Sequence, residues 1–142
     1  MAFNILVVDD SAVMRAMITR TLQLSGLPLG DIHEAANGDE GARAARAKWI
    51  DLVLVDLNMP VKGGEEMIDE LRADPDGGIL PIVVVSSDSN PTRHARLRAK
   101  GVHFVQKPFT PEQLRDIVLK TLGVCHVPAT HDAAATSHDC DF

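Results

Sequence analysis

Five residues of this 142-residue chain stand at the ends of short strand-like runs, and their types suit phosphorus chemistry. Asp9 and Asp10 follow the run at residues 4–8, and Asp56 follows Leu52, Val53, Leu54 and Val55. Ser86 follows the run at 82–85, and Lys107 follows the run at 103–106. If the runs are neighbouring strands of one sheet, three carboxylates, a hydroxyl and an ammonium converge on one edge. At ~5 Å and an effective dielectric of ~20, each carboxylate pair repels by about 3 kcal/mol. A hard cation relieves that repulsion. Mg2+ suits an all-oxygen donor set, whereas zinc favours His and Cys. With Lys107 as a second positive centre, Asp56 is suited to attack phosphorus, since both cations neutralise charge growing on the phosphoryl oxygens. Ser86 supplies a hydrogen-bond donor to one of those oxygens.

The elements that must position these groups alternate between strand and helix. The run at 4–8 precedes Ser11, an N-cap for a helix reaching about Leu24, which Gly26, Pro28 and Gly30 end. A weaker strand at 32–35 leads to Asn37 and Glu40, a capping-box-like start for a helix to about Lys48. The strand at 52–55 is continuously apolar, as in a parallel sheet buried on both faces. Met67, Ile68 and Leu71 mark the inner stripe of a third helix, closed by turn residues at 74–78. After the strand at 82–85, Asn90 and Pro91 open a helix to Lys100. The strand at 103–106 is followed by Thr110, Pro111 and Gln113, which open the last helix, to about Leu122. Helical crossovers between strands imply an α/β fold: a five-stranded parallel sheet, doubly wound, (βα)5. Ligands of such sheets bind beyond the carboxyl ends of the strands, where the five residues lie.

These motifs resemble the receiver domain of the response-regulator family, in its single-domain chemotaxis type. The resemblance covers about residues 3–122 and rests on Val7-Val8-Asp9-Asp10-Ser11, Asp56-Leu57-Asn58-Met59-Pro60 and Lys107-Pro108-Phe109. It implies the flavodoxin-like strand order 2-1-3-4-5. It also implies Asp56 as phosphoacceptor, with Mg2+ held by Asp9, Asp10, Asp56 and the backbone carbonyl of Asn58. Ser86 and Lys107 contact the phosphoryl group, Ser86 and Phe104 act as the switch, and Lys107–Pro108 is a cis peptide. Gly63 stands where an aspartate is usual, Ser86 where threonine is frequent, and Phe104 lacks a tyrosine hydroxyl. Without the resemblance, an aromatic such as Phe104 in a strand reads as core, and Trp49 reads as a packing residue.

The resemblance implies a stand-alone response regulator of a two-component phosphorelay. It is phosphorylated by a histidine kinase and binds a downstream protein target, such as a motor switch or signalling protein. It is no enzyme beyond its own phosphorylation and dephosphorylation. A phosphate shuttle or sink without a separate output is the alternative. A phosphatase with an Asp-x-Asp motif needs a second acid where Asn58 stands, and a flavin site would be repelled by Asp9 and Asp10.

Composition narrows the class further. The chain is 45% apolar and 24% charged with a net charge of −6, which argues against a general nucleic-acid binder. Its apolar runs are strand-length, shorter than the roughly 20 residues of a membrane span, so no membrane partner is expected. No signal-like segment opens the sequence, and both cysteines lie near the C-terminus, so a reducing cytoplasm is expected. The chain is expected to act as a monomer. Residues 123–142 contain no Leu or Ile and read as a flexible tail beyond a receiver domain at 1–122. The tail's Cys125, His126, His131, His138 and Cys140 match no zinc-finger spacing. Residues 31–76 hold twelve acids against five bases, while no acid occurs between Asp88 and Glu112. The bases in that gap suggest a basic partner surface at Arg93, Arg96, Lys100 and Phe104, with Met14 and Met17 of the first helix as the alternative.

Overall fold

The strand at 52–55 is apolar at every position and the runs at 5–8 and 82–85 are too, because both faces of the sheet are covered. A computed structural model describes residues 2–57, 59–74, 80–87 and 90–123. The elements are β1 (Phe3–Val8), α1 (Ala12–Leu24), β2 (Leu29–Ala35), α2 (Gly38–Ala47), β3 (Leu52–Val55), α3 (Gly64–Ala73), β4 (Ile82–Ser86), α4 (Pro91–Arg98), β5 (His103–Gln106) and α5 (Pro111–Thr121). All neighbouring strands are parallel, in the order β2-β1-β3-β4-β5. Successive side chains of a strand point to opposite faces, and the core divides accordingly. Leu6, Val8, Val53 and Val55 pack with Met67, Ile68, Leu71 and Leu97, under α3 and α4. Ile5, Val7, Leu52 and Leu54 pack with Ile18, Leu22, Leu114 and Val118, under α1 and α5. The architecture and strand order are those expected from the sequence.

Helix starts follow local chemistry. Ser11 accepts from the Met14 N–H at 3.2 Å, and Asn90 accepts from Thr92 and Arg93 at 3.0 and 3.3 Å. Thr110 and Gln113 form a reciprocal capping box. At α2 the box is displaced by one residue: Asn37 accepts from Glu40 N–H, but the Glu40 carboxylate accepts from Ala36 N–H.

Three expectations are corrected. β2 starts at Leu29, so Gly30 is a strand residue rather than part of the preceding turn. Asn4 sits at a register shift between Phe3 and Ile5, and its Oδ1 accepts from Asp31 N–H at 2.8 Å. A Cβ at position 30 would lie 2.3 Å from that oxygen, so glycine leaves room for the brace. Trp49 is 80% exposed, not packed. α4 ends at Arg98, two residues early, and the chain turns away at Gly101 with φ +77°. The turn residues 75–79 and the tail from 124 onward lie outside the described residues.

The β3–α3 loop carries the tightest backbone. A Cβ at Gly64 would lie 2.3 Å from the Asp56 carbonyl oxygen, so only glycine lets α3 begin against the end of β3. Val61 adopts φ +68°, a left-handed conformation that costs a β-branched residue about 1–2 kcal/mol, and its side chain is 83% exposed. No buried contact offsets that strain. Val61→Asn is therefore expected to stabilise the protein by about 1 kcal/mol in urea titration. An unchanged or lower midpoint would contradict the assignment of strain.

Candidate functional site

The parallel sheet ends its strands on one edge, and backbone bonds fix the residues that follow. Asp9 N–H donates to Ala35 O at 3.1 Å, Asp56 N–H to Val8 O at 3.0 Å, and Lys107 N–H to Ser86 O at 3.0 Å. These bonds extend the ladder past the strand ends and tie the chemistry-bearing residues together. Lys107–Pro108 is a cis peptide.

Asp9 is 2% exposed. Its Oδ1 accepts from Ser11 N–H at 2.9 Å, whereas its buried Oδ2 has no hydrogen-bond partner. The Lys107 ammonium lies 3.6 Å from that Oδ2 and 3.9 Å from Asp56 Oδ1, an electrostatic neighbour of both carboxylates. Asp56 Oδ1 also accepts from Leu57 N–H at 2.9 Å. Carboxylate oxygens of Asp9, Asp10 and Asp56 lie within 4.8 Å of one another, Asp10 on the solvent side.

Burial pushes the Asp56 carboxyl above its ordinary range. Lys107 and the Leu57 N–H oppose that shift, and the negative charges of Asp9 and Asp10 reinforce it. The cluster fits a hard divalent cation on two counts. Every donor is oxygen, and one of them is buried without a hydrogen bond. Asn58, whose carbonyl the resemblance assigns to the metal, lies outside the described residues.

Ser86 ends β4 at 4% exposure beside Gln106 of β5. Phe104 packs partly against the α3–α4 core. Its outer face is stacked by His94 of α4, with ring centroids 4.3 Å apart and 20° between planes. The Arg98 guanidinium lies 5.4 Å from the same ring.

The basic surface differs from its expectation. Arg96 donates from Nε and Nη2 to Glu65 at 2.6 and 2.8 Å. Lys100 Nζ lies 3.0 Å from Glu65 and 2.6 Å from Asp69. A stretch without acids in sequence is thus neutralised in space by α3. Arg93 lies beside Asp10, Met59 and Glu66 along an open groove leading from the carboxylates.

Sequence reasoning missed Arg15. Its Nη1 donates to the Asp9 carbonyl at 2.5 Å and its Nε to Glu34 at 2.8 Å, bracing the turn that presents Asp9 and Asp10. Its position four residues after Ser11, one helical turn back toward the site, was the available signal.

Residues 5–119 match the response regulator receiver domain, and the chain belongs to that family. It is 34% identical to chemotaxis protein CheY1 of Helicobacter pylori J99 over 122 residues, covering 84% of this chain and 97% of the relative. Chemotaxis protein CheY4 of Vibrio cholerae superposes with a TM-score of 0.76 at 30% identity, over 85% of this chain and 99% of that one. The receiver domain of sensor histidine kinase PA1611 from Pseudomonas aeruginosa PAO1 superposes with a TM-score of 0.75 at 25% identity, over 87% and 99%. That structure has a magnesium ion coordinated in its active-site cleft. The present chain is thus a receiver domain of the CheY-like type, a signalling class phosphorylated on aspartate in two-component systems.

A carboxyl whose folded pKa lies above its unfolded value binds protons more readily in the folded state, so its ionised form opposes folding. For Asp56 that opposition is full at neutral pH and fades as pH falls through the raised folded value toward 3.8, the ordinary one. In the absence of divalent metal, Asp56→Asn is expected to stabilise the protein at pH 7 by about 1–2 kcal/mol. The gain should shrink on acidification. Urea titrations across pH check this, and a variant less stable at pH 7 would contradict it.

Proposed function

We propose that this chain accepts a phosphoryl group on Asp56 from a phosphohistidine of a histidine kinase and uses it to switch binding to a downstream protein. A carboxylate oxygen of Asp56 forms the new bond to phosphorus. The phosphorus–nitrogen bond breaks, and the imidazole leaves with the electron pair and takes up a proton. Asp9, Asp10, Asp56 and the Asn58 carbonyl are the proposed Mg2+ ligands, and the ion would neutralise charge on the phosphoryl oxygens. Lys107 and Ser86 would contact the remaining oxygens. The observation that carries this reading is the buried, unbonded Asp9 Oδ2 among three carboxylates, with Lys107 beside two of them.

Ser86 and Phe104 are the proposed switch, which couples the phosphoryl group to the α4–β5–α5 face. Arg96 and Lys100 are engaged by α3, so the output surface is better centred on Phe104, Arg98, Ile117 and Lys120. Arg98 and Lys120 make no ion pair among the described residues, and both flank the same groove as the ring. An acidic protein segment with an apolar anchor fits that groove. A flagellar motor switch or another signalling protein is the target class we favour, consistent with the chemotaxis names of the relatives. No helix among the described residues is long and apolar enough to cross a membrane. We place the chain in the cytoplasm, acting as a monomer.

Phosphoramidate carries the same phosphorus–nitrogen bond as a phosphohistidine. Incubation with phosphoramidate and Mg2+ is expected to add one phosphoryl group to the intact mass, labile to hydroxylamine as an acyl phosphate is. Asp56→Asn should abolish the addition. Labelling that persists in that variant would refute Asp56 as the acceptor.

A further inference from the structure

α4 is weakly anchored by apolar contact. Of its eight residues only Leu97 is buried, whereas α3 buries Gly64, Met67, Ile68 and Leu71. Ion pairs to α3 add to that contact. Arg96 and Lys100, one turn apart, reach across to Glu65, whose carboxylate receives both guanidinium donors and the Lys100 ammonium. Lys100 also meets Asp69, one turn further along α3. The Glu65 side chain is 20% exposed but those of Arg96 and Asp69 are 53% and 56% exposed, so solvent and salt reach the network. Hydrogen bonds from Arg96, ahead of those from Lys100, hold its carboxyl down at about 2, and it is ionised at any ordinary pH.

A second pair, both members inside α4 and four residues apart, reaches a different target. His94 stacks on Phe104 and Arg98 lies over its ring. α4 and the turn that follows it therefore meet α3 through residues 96 and 100, and α4 meets the β5 ring through residues 94 and 98. Glu65 lies in the first turn of α3, directly after Gly64, where α3 is pressed against the Asp56 carbonyl. One carboxylate thus joins the start of α3, beside the phosphoacceptor, to the helix that covers the ring.

We infer that Glu65 is a positioning residue for the switch, holding α4, and through it the His94–Arg98 clasp on Phe104, in the resting arrangement. The inference rests on the switching role proposed for Phe104. A latch that favours one arrangement makes the other harder to reach, so releasing it must raise affinity for whatever favours the other. Ion pairs at partial exposure weaken as salt rises, and apolar packing does not, so the docking of α4, with one buried residue, depends on ionic strength more than that of α3, with four.

Two measurements test this on the full chain. The first is amide hydrogen exchange of the unphosphorylated protein without metal, in low salt and at about 1 M salt, where screening reaches roughly 3 Å. Exchange in α4 is expected to rise severalfold with salt in the parent and to be fast at both salts in Glu65→Gln. α1 and α5 should be unaffected, which reports that the variant is folded. The double variant Arg96→Gln/Lys100→Gln should reproduce the result from the other side of the network. Salt-independent α4 exchange, or equal rates in parent and variants, would overturn the latch.

The second is titration with beryllofluoride and Mg2+, a phosphoryl mimic. Glu65→Gln is expected to bind it about fivefold more tightly than the parent. Equal or weaker binding would overturn the link between Glu65 and the switch. A parent that binds no beryllofluoride would instead overturn the Asp56 reading, a failure the exchange measurement does not share.

Discussion

The structure turns on one ammonium placed between two carboxylates. Lys107 Nζ lies 3.6 Å from Asp9 and 3.9 Å from Asp56, and Asp10 completes the cluster from the solvent side. One positive charge cannot balance three negative ones. Burial makes the mismatch sharper, because Asp9 Oδ2 accepts no hydrogen bond from the protein to compensate it. The remainder of the site answers that imbalance. Backbone N–H groups of Ser11 and Leu57 each bind one carboxylate oxygen, and Arg15 braces the carbonyl of Asp9. Parallel strand ends fix where these groups begin, and the missing side chain of Gly64 lets α3 close against Asp56. A divalent cation and a phosphoryl group are the chemistry such an imbalance selects.

Away from the site, charge is segregated along the chain and reunited in space. α3 presents acids on two sides. Glu65 and Asp69 meet Arg96 and Lys100, while Glu70 meets Arg46 of α2 and Lys62. α2 also packs closely on α3: a Cβ at Gly41 would lie 2.8 Å from Met67 Sδ. α4 has no comparable apolar seat beyond Leu97. The two flanks of α3 therefore differ in kind, one sealed by packing and one held largely by ion pairs. An element held by charge is suited to move when a charge is added nearby.

Most of the fold was legible because its signals are local. Apolar runs at β3 and β4, caps at Ser11, Asn37, Asn90 and Thr110, and polar residues directly after strands all lie within a few positions of what they specify. The convergence of Asp9, Asp56 and Lys107 was legible for the same reason, once a parallel sheet was inferred. What escaped depends on residues distant in sequence. Glu65 and Arg96 are 31 positions apart, so an acid-free stretch looked like a bare basic face. Gly30 read as a turn residue because the Asn4 side chain it accommodates is 26 positions away, and Trp49 read as a packing residue because hydrophobicity alone does not say which way a loop residue faces.

Calorimetric titration of the metal-free protein with Mg2+, alongside Asp9→Asn, tests the central claim most directly. The imbalance at Asp9, Asp10 and Asp56 predicts one ion per chain, binding that fades as the carboxylates protonate, and affinity at least about tenfold weaker in the variant. A parent that takes up no Mg2+, or a variant that binds it as tightly, would contradict the account.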